Sequence, residues 1–516
     1  MATVAAIGCM MILSLRAPTL RSMFTYLPSQ QLEQGLLQGY STPALATSST
    51  PIKPYTFENA ILSVKAFRHD FYFFVYDSAS DTFFVIHIDG PCRFGCGRLK
   101  QVAPTLSVAL RRNFPDRFIQ GKEDLVIMIS VEDLPRIKQL CLWEGNNFCD
   151  SNLFAPILQF GSVFVNTEYL PSLVPMPMPA QPHLPCFNQW QLSGFGTMRG
   201  VCPELQVQEY YNATTDHDYW DNLIPQIIWR GSDFNYLPLL FPKMRRPEYL
   251  LDIPQGELGI DGHQFANEYE RKRWAIDSLL AIGDEKLLPR WKGVLMTSEA
   301  ELEASIENGQ VMGGSNRTLP WVNIKFTHMN DGGLKRFVGE IEEYQKLQSL
   351  GISCIGDVMT LSDHAGYKYH IDLGGGGGTT WTGTIQKLAL PGVLFHHVTP
   401  TIDWFHDLLV PWEHYIPIES DLTDLREKFE WAEKNPEEAR QISENGTRFV
   451  RWMASVEGFG QLYEAYLVAP LRNVINAYTH PSPLEHGNKR VLDLIFERGN
   501  DKFTVVYKCQ RAHGCA

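Results

Sequence analysis

Five consecutive glycines, Gly374–Gly378, stand between a segment of alternating polarity and the threonine-rich stretch Thr379–Thr384. Glycine backbones let several N–H groups converge on one anion, and the start of a following helix adds a favourable dipole. This layout is typical of a phosphate-binding loop, although a flexible glycine hairpin without a ligand has the same composition. GxxxxGK[ST] is missing, and so is GxGxxG in its proper context, so the loop matches neither a P-loop nor a dinucleotide fingerprint.

A second group of anion-binding residues follows an apolar segment that ends at Trp229. Arg230 offers a cation, and Gly231 and Ser232 offer backbone amides, which together would bind an anion such as a phosphate group. The alternative is that Arg230 pairs with a nearby carboxylate in a purely structural ion pair. The glycine loop would supply the remaining donors through Thr379, Thr380, Trp381, Thr382, Gly383 and Thr384. Two lysines near the loop either add charge or are solvated, Lys368 and Lys387.

Asp133 is the residue that we expect to act as the general base. It follows an apolar strand at 125–131 and precedes Leu134-Pro135, a loop position at the carboxyl end of a strand, where carboxylates meet substrates. An aspartate that caps a turn before a proline has the same surroundings. Glu132 is the neighbouring carboxylate and the second choice for this role.

The elements that must position these residues form an α/β pattern. Short apolar strands are predicted at 227–229, 322–326, 367–373 and 393–396. They alternate with predicted helices at 264–281, 299–307, 334–350, 421–434 and 436–456. This alternation predicts parallel sheets with crossover helices, in which ligands bind beyond the carboxyl ends of the strands. Upstream we predict a hairpin over 71–76 and 83–88, a short helix over 106–114 and a strand over 125–130.

The motifs around the glycine loop, taken together, resemble glycosyltransferase family 90. That family includes protein O-glucosyltransferases of the secretory pathway and capsule-associated xylosyltransferase-like proteins. The motifs that carry the resemblance are LVIMISVEDLP, WRGS, YKYHID, the small-residue turn TGT, PGVLFHH and PWEHYIPI-x-x-DL. Four residues downstream fit the family's closing helix, Ala439, Ile442, Gly446 and Phe449. The resemblance keeps its order from Leu125 to Tyr478.

The resemblance implies the GT-B arrangement, an α/β fold of two Rossmann-like domains facing a cleft, here with a C-terminal helical segment. It also implies an inverting transfer that needs no metal ion. Asp133 takes the position of the family's catalytic aspartate, and Ser232 that of a residue in contact with the donor. No cofactor is expected, since the UDP-sugar is a co-substrate.

Two positions depart from the family. Its members carry an arginine a few residues past RGS, where this chain reads DFNYLPLL, and another arginine at the position of Thr384. Each lost charge-assisted hydrogen bond is worth about 1.5–3 kcal/mol. Three interpretations follow. The neutral N–H and O–H groups of the glycines and threonines compensate for the lost charges, or the sugar donor differs, or the protein is an inactive member that binds carbohydrate or nucleotide.

A metal site is not expected. Asp216-His217-Asp218 has the DxD pattern with which metal-dependent glycosyltransferases hold Mn²⁺ or Mg²⁺. It falls at a predicted helix entry, where acidic residues stabilise the helix dipole. His364, the pair His396-His397 and Asp403-x2-His406 match no known ligand spacing, so buried, hydrogen-bonded histidines are the expectation.

The overall composition excludes one class of partner. The chain has 516 residues and a net charge of −13, with no block of lysine and arginine. Nucleic acid is therefore excluded as the main partner, because phosphate backbones require clustered positive charge. The length predicts about two domains. We place an acceptor-side domain at 56–225 and a nucleotide-sugar domain at 226–480, between an N-terminal signal, anchor or stem at 1–55 and a C-terminal extension at 481–516.

The N-terminus and the cysteines bear on location. Ala5–Leu15 suits the apolar part of a signal peptide, although no Lys or Arg precedes it; a truncated anchor or a misassigned start codon would give the same pattern. Some of the ten cysteines form disulfides if the protein is secretory, and they are buried thiols if it is cytosolic. Glycosylation triplets at Asn212, Asn316 and Asn445 favour the secretory pathway, with the lumen of the endoplasmic reticulum or Golgi as the expected location.

The sequence thus predicts a glycosyltransferase that moves glucose or xylose from a UDP-sugar to a hydroxyl of a glycan or protein acceptor. A catalytically inactive family member that binds carbohydrate or nucleotide is the alternative. An unrelated phosphosugar enzyme of the cytosol is a third interpretation.

Overall fold

A computed structural model describes most of the chain that follows the N-terminal segment. The described residues are 52–66, 71–88, 96–131, 155–159, 161–163, 173–175, 220–234, 243–244, 246–247, 265–281, 283, 286–310, 318–331, 334–375, 380, 383–399, 401–454, 456–481, 489–497 and 502–510. All of them fall in one compact unit, Ser41–Ala516.

Sixteen strands occur among these residues. In chain order they are β1 (Tyr55–Thr56), β2 (Phe71–Asp77), β3 (Thr82–Ile88), β4 (Leu125–Ser130), β5 (Ile157–Gln159), β6 (Gly161–Val163), β7 (Leu173–Pro175), β8 (Ile224–Asp233), β9 (Val322–Asp331), β10 (Leu334–Phe337), β11 (Tyr367–Asp372), β12 (Val393–His397), β13 (Thr401–Asp403), β14 (Ile416–Ile418), β15 (Tyr478–Thr479) and β16 (Phe503–Gln510).

Twelve α-helices occur in the same part of the chain. They are α1 (Phe57–Ala66), α2 (Cys96–Asn113), α3 (Glu268–Leu280), α4 (Pro289–Gln310), α5 (Glu342–Leu350), α6 (Leu361–His364), α7 (Gly383–Leu388), α8 (Leu425–Lys434), α9 (Pro436–Ala454), α10 (Val456–Tyr463), α11 (Ala469–Ala477) and α12 (Val491–Phe496). Among the described residues, no helix is both long enough and apolar enough to cross a membrane.

The sheet that carries WRGS and the glycine loop has six strands in the order β10-β9-β8-β11-β12-β14. Its neighbouring strands run parallel except for the antiparallel pair at the β10 edge. Its central strands are largely buried, as parallel strands covered by helices must be, and every residue of β12 is buried. The predicted parallel sheet with crossover helices is therefore confirmed here.

A second six-stranded sheet has the order β16-β3-β2-β4-β5-β7. The first four strands of that order pair antiparallel, and β4, β5 and β7 pair parallel. The predicted hairpin is confirmed by the pairing of β2 with β3. The edge strand β16 comes from the C-terminal extension, so the end of the chain returns to the sheet formed by its beginning.

A short ladder connects chain segments that follow one strand from each large sheet. Directly after β5, strand β6 pairs antiparallel with β13, which follows β12. In this ladder Gly161 lies opposite Asp403. The segment leaving the carboxyl end of β5 is therefore held against the segment leaving the carboxyl end of β12.

One predicted helix is wrong over its first part. The apolar period over 334–350 predicted a single helix, but Leu334–Phe337 is strand β10, Val338–Glu340 is a 3₁₀ turn, and the helix begins at Glu342. Two glycines, Gly332 and Gly333, separate Asp331 from Leu334, and glycine pairs are a hairpin signal. Leu334–Phe337 therefore pairs with β9 and does not form the helix that its apolar spacing predicts. The helix predicted at 106–114 is also longer than expected, since α2 begins at Cys96.

Candidate active site

Trp229 and Gly231 explain part of the WRGS motif. Both lie on β8, two positions apart, so the side chain of Trp229 is on the face to which a side chain at position 231 would be directed. The indole of Trp229 lies across Gly231, because a Cβ built there would be 2.3 Å from Trp229 Cζ2. The guanidinium of Arg290 lies over the same indole, 5.0 Å from the ring centre. A glycine at 231 is therefore needed for this layered arrangement.

Arg290 links the carboxyl ends of two neighbouring strands. One terminal nitrogen donates to the carbonyl of Ser232 at the end of β8, over 2.6 Å, and the other to the carbonyl of Leu373 after β11, over 2.8 Å. The sequence analysis did not single out Arg290, which lies 58 positions from Ser232 and 83 from Leu373. No local pattern around it indicates a site residue; only the pairing of β8 with β11 brings the two carbonyls together.

Helix α4 holds Arg290 in place through its contact with β9. A Cβ at Gly293 would be 2.9 Å from Ile324 Cδ1, so the helix approaches the strand closely. The hydroxyl of Thr297 also accepts a 2.8 Å hydrogen bond from the backbone N–H of Ile324. These contacts fix the position of α4 along β9 and so place its second residue, Arg290, at the carboxyl ends of β8 and β11.

Arg230 lies on the opposite side of β8 from Trp229. One of its terminal nitrogens donates to the carbonyls of Trp229 and Asn323, both over 2.8 Å. A Cβ at Gly356 would be 2.8 Å from Arg230 Nε, so the loop after α5 passes directly over this side chain. Burial lowers the pKa of Arg230, against the charge of Asp357. Among the described residues its side-chain hydrogen bonds go to carbonyls, and the direct ion pair considered above is not formed.

Asp372 is the centre of a buried hydrogen-bond network at the end of β11. Its carboxylate accepts from the hydroxyl of Thr384 (2.5 Å), from His396 Nδ1 (2.8 Å) and from the backbone N–H of His397 (2.9 Å). Burial alone would raise the pKa of Asp372, but the charge of His396 and these hydrogen bonds outweigh it and lower the pKa. Asp372 therefore anchors the start of α7 to the neighbouring strand as a carboxylate.

Thr384 is completely buried, and its hydroxyl is directed at Asp372. It also shares a hydrogen bond with the hydroxyl of Thr380, which lies closer to the surface. Gly383 begins α7 and donates its N–H to the carbonyl of Thr380 over 3.0 Å. The predicted donor-binding threonines thus differ in direction: Thr384 faces the protein interior, and Thr380 lies at the edge of the loop.

His397 fixes the first glycine of the loop. Its Nδ1 accepts from the N–H of Gly374 over 3.1 Å, and its Nε2 donates to the carbonyl of Ser420 over 2.8 Å. Burial lowers the pKa of His397 to about 4, so the ring is neutral. His370 is also neutral, since burial lowers its pKa to about 3 while its Nε2 donates to the carbonyl of Pro391. The expectation of a buried, hydrogen-bonded histidine is confirmed for His397, and His370, for which no such expectation was stated, is buried and hydrogen-bonded as well.

Lys387 folds back along α7 toward the first residue of that helix, Gly383. Its ammonium lies 3.4 Å from the position that a Cβ on Gly383 would take. Burial lowers the pKa of Lys387, the charge of Asp372 raises it, and the charge of Arg290 lowers it further. The lysine therefore stands beside the start of the helix rather than in open solvent.

The remaining aromatic and titratable residues are mostly part of the core. Trp404, Phe405 and Tyr415 are buried, and Trp412 lies on the surface against Trp431. In the described part of the chain, no group of three or more His, Cys, Asp or Glu side chains is arranged to hold a metal ion.

Several predicted site residues lie outside the described part of the chain. They are Asp133, its neighbour Glu132, the loop residues Gly376–Gly378, Thr379, Trp381 and Thr382, and the DxD motif at 216–218. Strand β4, which leads to Asp133, is described as far as Val131. Among the described site residues, Thr380, Gly383 and Thr384 are in mutual contact at the start of α7, and Ser232 lies near the end of β8, the strand that pairs with β11.

Comparison with known proteins identifies the region that contains most of these contacts. Residues 348–463 match the model of Glycosyl transferase family 90. The resemblance seen in the sequence is confirmed. The match includes Asp372, Thr384, Lys387 and His396, whereas Asp133, Arg230 and Arg290 lie upstream of it.

Individual relatives point the same way. Protein O-glucosyltransferase 2 of Danio rerio is 38% identical over 99 residues, 18% of each chain. Protein O-glucosyltransferase 1 of Homo sapiens is 34% identical over 117 residues, 21% of this chain and 29% of the relative. Protein O-glucosyltransferase 3 of Homo sapiens is 31% identical over 100 residues, 18% of each chain. These matches span less than a third of each relative's length.

Proposed function

We propose that the protein is a glycosyltransferase that moves a sugar from a UDP-sugar to a hydroxyl of a protein or glycan acceptor. The observation that carries the proposal is the cluster of anion-binding groups at the joined ends of β8 and β11, within and beside the family 90 region. The relatives are named O-glucosyltransferases, which favours glucose as the transferred sugar, with xylose as the second choice.

The leaving diphosphate would bind where these strands end. Ser232 has no side-chain hydrogen bond among the described residues, so its hydroxyl is available to a phosphate oxygen. Gly375 and Thr380 follow in the loop after the neighbouring strand β11, and the same loop contains Thr379, Trp381 and Thr382, which lie outside the described residues. Neutral N–H and O–H donors directed at developing charge stabilise a transition state without reorganisation. No metal ion is needed for this arrangement in our proposal.

Asp133 would act as the base. It would take the proton of the acceptor hydroxyl while the oxygen attacks the anomeric carbon, the bond to UDP breaks, and the configuration inverts. Asp133 follows β4, whose neighbour β5 continues into the ladder with β13. In that ladder β6, which follows β5 of the second sheet, pairs with β13, which follows β12 of the first sheet. This pairing supports a site between the two sheets.

The same connection supports the GT-B arrangement with domains at 56–225 and 226–480, which we keep as a proposal. A secretory location fits the disulfide bond formed by Cys509, since disulfides persist in oxidising compartments. Cys354, by contrast, is a buried free thiol. A signal sequence or membrane anchor at 1–55 belongs to the same proposal.

A second candidate function is a nucleotide- or carbohydrate-binding protein without transferase activity. It is favoured by Thr384, because this position carries an arginine in the resembled family and here directs a neutral hydroxyl into the interior. Such a protein would bind UDP but would not turn over a UDP-sugar.

Calorimetric titration of the whole protein with UDP, in EDTA and in Mn²⁺, tests the donor site. We expect binding of equal strength in both buffers and at least tenfold weaker binding in the Ser232→Ala variant. Lys508→Gln, which changes an exposed residue of β16, is the control. Absence of UDP binding in both buffers would overturn the transferase and the nucleotide-binding form of the second candidate.

A further inference from the structure

Two cations lie beside the residues that flank the glycine loop, Leu373 and Gly383, and they differ in what they contact. Arg290 donates both terminal nitrogens to the carbonyls of Ser232 and Leu373, so its role is to hold the strand ends together. Lys387 has no hydrogen-bond or ion-pair partner for its ammonium among the described residues. One of the two cations at this edge is therefore committed to the fold, and the other is available.

The position of the Lys387 ammonium follows from helix geometry. Side chains on an α-helix lean toward its N-terminus, so a long side chain covers the turn before its own Cα. Lys387 follows Gly383 by four positions, and its ammonium lies beside that glycine. The charge thus reaches the turn that contains Thr384, where the threonine itself directs its hydroxyl away from the loop.

Other charges do not satisfy this lysine. Asp372 is the carboxylate whose charge acts on Lys387. Both oxygens of Asp372 already accept hydrogen bonds, from Thr384, His396 and the backbone of His397. Arg290 adds a second positive charge. A partly buried cation beside another cation is favourable only when an anion joins them.

We propose that Lys387 binds the diphosphate of the nucleotide sugar and supplies the charge that Thr384 lacks. The proposal rests on the proposed function, and it assigns to Lys387 a role for which the sequence left solvation as an equal choice. Lys387 would contact a phosphate oxygen of the donor and balance the charge that develops on the leaving UDP. The transfer itself breaks the same bonds as above.

The test compares UDP with uridine, which lacks the phosphates, by calorimetric titration of the whole protein. In Lys387→Gln we expect UDP binding to weaken about 10- to 100-fold, the effect of one charge-assisted hydrogen bond, with uridine binding unchanged. Lys387→Arg keeps the charge and should bind UDP within about threefold of the parent protein. The control is Lys368→Gln, which removes a half-buried lysine over the ring of Trp220 and should leave both affinities unchanged.

The outcomes separate the two proposals. If the parent protein binds UDP and Lys387→Gln binds it equally well, the role of Lys387 is overturned and the proposed function stands. Equal weakening of UDP and uridine would also overturn it, because the effect would then come from the fold and not from the phosphates. If Lys387→Gln fails to fold, Lys387→Met takes its place. Tight UDP binding by Lys387→Met would overturn the role of Lys387 in binding the diphosphate. Loss of UDP binding with uridine binding retained would support that role. If the parent protein binds neither ligand, both proposals fall.

Discussion

Arg290 donates a 2.6 Å hydrogen bond to the carbonyl of Ser232, 58 positions earlier in the chain. Its second nitrogen binds the carbonyl after the neighbouring strand β11, and its plane covers the indole of Trp229. The edge of the sheet at which the glycine loop begins is thus held by a residue from a helix. Both the stability of this edge and its ability to bind an anion should therefore depend on a side chain that does not itself face the ligand.

Arg290→Gln should lower the free energy of unfolding by about 2–5 kcal/mol, because two charge-assisted hydrogen bonds are lost and two carbonyls lose their donor. Urea unfolding followed by circular dichroism measures this. The matched control is Arg273→Gln on α3, whose ion pair with Asp277 is exposed on the surface. That change should alter the free energy by less than about 1 kcal/mol. Equal effects of the two substitutions would contradict the bracing role of Arg290.

Gly231→Ala and Gly309→Ala should change stability in opposite directions. At Gly231 the added methyl group meets the buried indole of Trp229 at 2.3 Å, and overpacking of this kind costs about 1–3 kcal/mol. At Gly309, within α4, nothing lies within 4 Å of the new Cβ. Alanine there should raise the free energy of unfolding by about 0.5–1 kcal/mol, because it is the better helix former. Thermal unfolding of both variants measures these changes. A Gly231→Ala variant more stable than the parent protein would contradict the packing of the Trp229 indole across position 231.

Stability should fall as the pH decreases from about 6.5 toward 4. Burial lowers the pKa of His370 to about 3 and that of His397 to about 4 in the folded protein, whereas both protonate near pH 6.5 when unfolded. The unfolded state therefore binds more protons in this window, and each histidine removes roughly 1.4 kcal/mol per pH unit.

Urea unfolding at several pH values checks this dependence. His370→Gln keeps a donor for the carbonyl of Pro391 but cannot be protonated, so its stability should fall less steeply below pH 6.5 than that of the parent protein. His480→Gln, at an exposed position, should follow the parent curve. Parallel curves for the parent and His370→Gln would show that His370 is not buried as a neutral group.

Asn445 should carry no glycan, although it starts one of the three triplets. It lies inside α9, and the hydroxyl of Thr447 is completely buried, donating to the carbonyls of Leu388 and Ser443. A folded helix with this buried hydroxyl cannot present the triplet to a transferase. Peptide mass spectrometry of protein secreted from a eukaryotic host measures occupancy, and Asn445→Gln should migrate like the parent protein. A glycan at Asn445 in folded protein would contradict the packing of α9.

Much of the sheet around the loop could be predicted because its strands carry their own signal. Buried parallel strands such as β12 are short apolar runs, and the loop after β11 is marked by its glycines. The break within 334–350 was missed because the apolar spacing there fits a helix as well as a strand followed by a turn. Periodicity alone does not report backbone pairing with β9.

The site was predictable only in part, since its main contacts are long-range. Arg290 has no neighbouring motif, and its two partners lie on strands that come together only in the folded sheet. The sequence predicts that Thr384 faces the sugar donor, but its hydroxyl donates a hydrogen bond to Asp372, 12 positions away. Asp372 itself could have been noticed as the last polar residue of a buried strand just before the glycines.

The most direct test of the central claim is UDP release from UDP-glucose and UDP-xylose by the purified protein in EDTA. We expect release from at least one donor, increased by a hydroxyl-bearing protein or glycan acceptor. In Asp133→Asn we expect release to be abolished while UDP is still bound. Binding of UDP without release from any donor would contradict the transferase and favour the inactive binding protein. Unchanged release in Asp133→Asn would move the base elsewhere, with Glu132 next.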